Sequence, residues 1–213
     1  MDGGSVFMPY SDKKSGKEKY AWVLDYLPYG DPDDPRPAYQ KKPSIQGIGE
    51  TYFVLVEMVP KEGMVPLIGD QVHIGNDGRD VIDHVKRRLE YDDLTHGAKS
   101  ELAYVLESIV LSGESRFVKF TNEAYPISTR QHMLELLPGI GKKLMWAILD
   151  ERKKGGFTSF EDLTTRVKGL HKPETIFAHQ IENELTSDVR YRLFTTKPPE
   201  SRPSEPSRKR GRR

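Results

Sequence analysis

Seven consecutive residues, Leu137-Pro138-Gly139-Ile140-Gly141-Lys142-Lys143, carry the chemistry that this chain offers most plainly. Pro138 stops a preceding helix, Gly139 and Gly141 permit backbone conformations that a Cβ would penalise, and Ile140 between them is an anchor for the core. A helix opening at Lys142 begins with amide N–H groups that have no acceptor inside it, and its dipole makes that end positive. Free N–H groups, bare glycine backbone and two cationic side chains together suit a phosphate oxygen. Gly139, Ile140, Gly141, Lys142 and Lys143 are therefore the first candidate binding residues. Further along, Val167-Lys168-Gly169-Leu170-His171-Lys172-Pro173 repeats the pattern in degenerate form, with His171 where the second glycine would stand. Gly169 and Lys172 join the candidates, although a structural role is expected of this copy first.

Other chemistries find less support. Cysteine is absent, which excludes disulfides, thiolate zinc sites, iron–sulfur clusters and cysteine nucleophiles. His73, His84, His96, His132, His171 and His179 show no i,i+4 pairing, so no metal centre is expected. Asp31, Asp33 and Asp34 lie among Pro28, Pro32, Pro35 and Pro37 in a spacing unlike a calcium loop, and read as a solvated turn. Gly47-Ile48-Gly49 precedes a strand, the reverse of the strand-then-helix context of a dinucleotide site. No carboxylates cluster at a catalytic spacing, so an enzyme is not expected; Asp162 and Asp188 are the carboxylates a repair-glycosylase reading would nominate.

Net charge is +1, but it is unevenly spread. Lys197, Arg202, Arg208, Lys209, Arg210, Arg212 and Arg213 against Glu200 and Glu205 give the tail +5, which leaves −4 on residues 1–196. Any nucleic-acid surface outside the tail must be local. Arg130, Lys142, Lys143, Arg152, Lys153 and Lys154 against Glu135, Asp150 and Glu151 make the hairpin region such a place. In the tail, Arg208, Lys209, Arg210, Arg212 and Arg213 are expected to add salt-sensitive attraction to RNA or DNA.

The elements that must hold these residues follow from periodicity. Residues 20–27, 51–59 and 81–89 read as strands, and 67–78 as strand and turn. Leu102, Val105, Leu106, Ile109 and Val110 form a helical stripe, and 116–120 alternates like a last strand. Residues 20–122 are thus expected to be a small β-barrel, OB-like, with one packed helix, after a disordered 1–19. Trp22, Tyr26, Phe117 and Phe120 are its candidate base-stacking platforms. Beyond a boundary at 122–126, Ser128-Thr129-Arg130-Gln131 has the spacing of a capping box for a helix ending at Leu136. Helices follow with Leu144, Met145, Ile148 and Leu149 inward, then Phe160, Leu163 and Val167, then Phe177, Ile181 and Leu185. The fold class is α+β: the OB-like part, an all-α domain over 123–196 and a disordered basic tail over 197–213.

Leu137-Pro138-Gly139-Ile140-Gly141 resembles the hairpin of the helix-hairpin-helix motif, apolar-x-Gly-apolar-Gly, and the run at Gly169 resembles a second, tandem copy. That resemblance implies sequence-independent grip on backbone phosphates, and some relatives of the motif hold a monovalent cation at the position of Gly139 to Gly141; no other cofactor is expected. The order of features over residues 20–196, with Leu134-Glu135-Leu136-Leu137-Pro138-Gly139-Ile140-Gly141-Lys142-Lys143 followed by Phe160-Glu161-Asp162-Leu163, resembles the archaeal family called domain of unknown function 655, described as nucleic-acid-binding. This second resemblance implies a link to translation and favours RNA over DNA, which spacing and charge leave undistinguished. The expectation is a monomeric, cytoplasmic, non-enzymatic protein that binds RNA, ribosomal RNA above all, with ribosomal proteins as further partners and no membrane. A protein-docking adaptor and a DNA-binding or repair factor are the alternatives.

Overall fold

Successive residues of Tyr20–Leu27 (β1) enter two different apolar clusters, so the strand is buried on both faces. Side chains alternate across a strand, and here Ala21 and Val23 join one cluster while Trp22 and Leu24 join the other. The computed structural model describes residues 17–31 and 36–195. Around β1, Ser44–Gly49 (β2), Leu55–Pro60 (β3), Gln71–His73 (β4) and Ile82–Arg88 (β5) form an antiparallel sheet in the order β4-β1-β2-β3-β5, curled into a half-barrel. Val23, Ile45, Val56, Met58, Val72 and Ile82 fill one side of it. Leu24, Ile48 and Leu55 pack on the opposite side, in the same cluster as Leu102 and Leu106 of helix His96–Ser112 (α1).

The strand expected over 51–59 is shorter, because Phe53 takes a left-handed φ of 55° and residues 50–52 turn the chain. Gly47 and Gly49 belong to β2, where packing explains both: a Cβ on Gly47 would lie 2.8 Å from the Trp22 carbonyl oxygen, and one on Gly49 would overlap the Glu18 carboxylate. Glu18, assigned by sequence to the disordered N-terminus, is buried and accepts from the amides of Thr51 (3.0 Å) and Tyr52 (2.7 Å). Burial pushes its carboxyl above the ordinary carboxylate value, and those amide donors oppose the rise.

The helix α1 is tied to the sheet by polar bonds at its start. Thr95 Oγ1 accepts from Ala98 N (3.0 Å) and donates to Asp25 Oδ2 (2.5 Å), while Thr95 N donates to Gln46 Oε1 (2.8 Å). Residues 116–120 correct the sequence reading: they lie in helix Glu114–Glu123 (α2), not in a strand. A five-residue window fits both periods, and burial of Phe117, Val118, Phe120 and Thr121 selects the helical one. Phe117 and Phe120 meet Phe177 and Phe194 with ring centroids 5.0 to 5.9 Å apart, so they are core and not stacking platforms.

The helix expected over 128–136 is also absent. Pro126–Ser128 (β6) pairs with Gln131–His132 (β7), and a 3₁₀ turn at Met133–Leu136 follows. The cap is set by His132 and Glu135, not by Ser128 and Gln131: His132 Nδ1 accepts from Leu134 N (3.1 Å), and Glu135 accepts from His132 N (2.9 Å). Helices Lys142–Lys153 (α3), Phe160–Arg166 (α4) and Pro173–Thr186 (α5) complete the order. One apolar cluster runs from Leu24 and Ile48 through α1 and α2 to Ile140, Ile148, Leu170 and Ile181.

The chain after α5 is fastened by Glu184. This fully buried carboxylate accepts from the amides of Leu193 (2.7 Å), Phe194 (3.1 Å) and Thr195 (2.9 Å), and that bend delivers Phe194 to the aromatic cluster. Glu184→Ala would leave these buried donors without an acceptor, at roughly 1–3 kcal/mol each when no water reaches them. We predict a loss of about 3 kcal/mol or more in urea unfolding; a loss under about 0.5 kcal/mol would show that the fastening is dispensable.

Candidate phosphate-binding hairpin

Between the 3₁₀ turn and α3 the backbone makes a corner whose alternate residues face opposite ways. Leu137 and Ile140 are 2% and 6% exposed, whereas Gly139 and Gly141 are open to solvent. Ile140 N donates to the Leu137 carbonyl (3.1 Å), closing the turn, and Gly139 takes φ +80°, which a side chain rarely adopts. A Cβ placed at Gly139 or Gly141 would meet nothing within 4 Å, so the approach from solvent is clear. Gly141 is the residue before α3, and its carbonyl accepts from Met145 N (3.0 Å). No side chain caps this end and no acidic residue stands in the first turn, so the amides of Lys142, Lys143 and Leu144 have no acceptor within the helix. The expected candidates Gly139, Ile140, Gly141, Lys142 and Lys143 are thus one contiguous corner, with Ile140 serving it as the buried pin.

The basic groups around the corner divide sharply. Arg152 Nη1 donates to the carbonyls of Thr121, Asn122 and Ala124 at 3.2, 2.8 and 2.8 Å, which ties α3 to the end of α2; burial lowers its pKa from the ordinary guanidinium value. Lys153 pairs with Asp150 at 2.9 Å and Lys154 with Glu151 at 2.5 Å. Arg166 bonds Asp162 and the carbonyls of Glu151 and Gly155. Lys142 and Lys143 are exposed and carry no ion pair among the described residues. Six basic residues counted in the sequence thus reduce to two at the corner itself, with Arg130 exposed nearby in the chain.

The second run builds a similar but weaker corner. Leu170 N donates to Val167 O (3.2 Å) and Gly169 takes φ +91°, repeating the bond and the conformation of the first. A Cβ on Gly169 would lie 3.6 Å from Leu144 Cδ2, so this corner packs beside α3. Lys172 precedes α5 in a left-handed conformation, φ 47°, and Pro173 then removes one amide donor while Glu174 brings a negative charge into the first turn. These differences set the second corner apart from the first. The missing glycine at His171 was the visible signal.

The remaining candidates fall elsewhere. Arg208, Lys209, Arg210, Arg212, Arg213, Asp33 and Asp34 lie outside the described residues; Asp31 pairs with Arg87 at 3.5 Å. Trp22 is half-buried and donates its indole N–H to Glu50 (3.2 Å), and Tyr26 is half-buried against the barrel cluster. Asp162 accepts from Thr158 N and Arg166, and Asp188 is exposed. Among the described residues no group of three or more His, Asp or Glu is placed to hold a metal ion, and no helix is long and apolar enough to cross a membrane. Sequence reading passed over Trp146, which is 57% exposed on α3. Its signal was present: with Met145 and Ile148 inward, position 146 must face out.

The family described as protein of unknown function, DUF655, matches residues 17–196. The chain belongs to this family. It is 48% identical over 188 residues to the uncharacterized protein MJ0038 of Methanocaldococcus jannaschii, a match that covers 87% of this chain and 83% of the relative. A DUF655 crystal structure, Af1531 from Archaeoglobus fulgidus, is similar with a TM-score of 0.79 and 49% identity, covering 84% of this chain and all of that one. The fold described above is therefore that of the archaeal DUF655 proteins, half-barrel and glycine corners included in the matched span.

In this DUF655 chain the 3₁₀ turn that leads to the corner depends on a neutral imidazole, since His132 Nδ1 accepts from Leu134 N. Burial first, then the nearby Arg152 charge, holds its pKa below the ordinary 6.5, and Glu135 opposes weakly. With a depressed folded pKa, this contribution is whole above the unfolded value and is lost as pH falls through the folded one. We predict that Tm of the wild type falls more steeply than that of His132→Asn, which keeps an acceptor, between about pH 7 and about pH 5. Parallel curves would contradict the capping role.

Proposed function

We propose that this DUF655 protein is a non-enzymatic, sequence-nonspecific RNA-binding protein, and that its corner is a helix-hairpin-helix clamp on backbone phosphates. The observation that carries the reading is the exposed Gly139-Ile140-Gly141 corner, whose helix-opening amides are uncapped and whose two lysines are uncommitted. Each amide approaches an anionic oxygen without reading a base, so contact here positions the polymer and leaves its sequence unread. The half-barrel is the coarse form of the OB-like part of this proposal. The choice of RNA, and with it cytoplasmic work beside ribosomal RNA and ribosomal proteins, follows from the family resemblance; the basic tail adds non-specific attraction.

A second reading, a protein-docking adaptor, is favoured by one observation. The loop between β3 and β4 exposes Met64, Val65, Leu67 and Ile68 by 44, 63, 70 and 50%. Partner capture from lysate that survives nuclease and is lost on Leu67→Glu would support it.

Lys142→Glu combined with Lys143→Glu tests the clamp. Each lost phosphate contact removes about 0.9 from the slope of log K against log salt on duplex, or about 0.7 on single strands. We predict weaker binding and a slope flatter by about 1.4 to 1.8, with an unchanged circular dichroism spectrum, in filter or anisotropy titrations against RNA. Binding equal to wild type at every salt concentration would refute the clamp.

A further inference from the structure

We propose that Trp146 is a stacking platform for an unpaired base whose phosphate sits at the Gly139-Gly141 corner, so that the protein prefers single-stranded or looped segments to duplex. The inference rests on the phosphate reading above and names the form of polymer that the same site takes. Trp146 is 57% exposed, and among the described residues its indole makes no ring contact and no hydrogen bond. Trp22, by contrast, is half-buried with its indole N–H bonded to Glu50. A tryptophan has a large apolar face, and leaving it in water forgoes more burial than for any smaller residue.

Its position on α3 is fixed. Met145 and Ile148 are buried, so the helix cannot rotate to bring residue 146 into the core. Trp146 stands four residues after Lys142 and three after Lys143, on the same helix face, and about 6 Å along the axis from Lys142. An oxygen held at the helix opening therefore leaves the base of the same or the neighbouring nucleotide within reach of the indole. Further up this exposed stripe, Asp150 is neutralised by Lys153 at 2.9 Å, so no lone carboxylate repels the strand.

Charge selects the occupant. Of the large apolar side chains on α3 only Trp146 is exposed, and two uncommitted lysines precede it on the same face, whereas protein partners bury continuous apolar patches. An anion that carries a flat aromatic face matches both features, and every base has such a face. In a duplex those faces are covered by neighbouring base pairs, so a duplex can use the clamp but not the ring.

The test uses the full-length protein with labelled oligouridylate, oligoadenylate and an RNA duplex, read by anisotropy, and Trp22→Phe protein, in which Trp146 is the one tryptophan and is excited selectively over tyrosine. We expect single strands to quench Trp146, and Trp146→Ala to weaken single-strand binding by about 5-fold to about 150-fold, with the salt slope kept and duplex affinity changed less than about twofold. Trp146→Phe should restore most of the loss. Equal losses on single strand and duplex, or no loss on either, would overturn the platform. If Trp146→Ala binds like wild type while the double lysine variant binds weakly, the clamp stands and the platform falls. If the double lysine variant keeps wild-type affinity, the phosphate reading fails and this inference fails with it.

Discussion

Ile140 is the pin on which the site depends. Its side chain is buried in the cluster that also holds Ile148, Leu170 and Ile181, and the glycines on either side are forced outward by that burial. Gly139 can then close the turn at φ +80°, and α3 starts at Lys142 with its first amides uncapped by any side chain. A corner fastened this way has its backbone set by the packing of Ile140 and by the bond from Ile140 N to Leu137 O. Preorganised donors need little rearrangement to meet an anion, which is why a handful of peptide groups can matter against water.

The electrostatics follow from what the fold consumes. Arg152 and Arg166 hold helix ends and loop carbonyls together, so their charges serve packing. Lys86 and Arg87 are drawn onto Glu57, a carboxylate whose side chain is 2% exposed on the sheet. Lys142 and Lys143 carry no ion pair among the described residues, and they stand at a helix start where the dipole favours a negative guest. A protein with −4 on residues 1–196 can thus present a cationic corner without being cationic as a whole.

Much of this was legible in the sequence, and the failures share a cause. β1 was read correctly because its eight residues sustain one pattern, and α1 because its stripe repeats over several turns. Residues 116–120 misled because five residues satisfy a period of two and a helical face equally well; only Phe177 and Phe194, far away in sequence, decide between them. The cap at Ser128 misled because Ser-x-x-Gln occurs without a helix to cap, while His132, an unusual capping residue, does the work. The corner itself was readable because its requirements are local: a positive φ needs glycine, and an exposed helix start needs no distant partner. Glu18 and Glu184 were invisible, since a buried carboxylate that gathers amides from another segment has no mark in its own sequence neighbourhood.

In the proposed clamp, the peptide N–H groups at the corner meet phosphate oxygens. Nitrogen-15 NMR of the full chain, titrated with a short RNA, tests it most directly. We expect the amide signals of Gly139, Gly141, Lys142, Lys143 and Leu144 to shift most and saturate together, while those of the β3–β4 loop stay in place. Shifts confined to that loop, with the corner amides unmoved at saturating RNA, would contradict it.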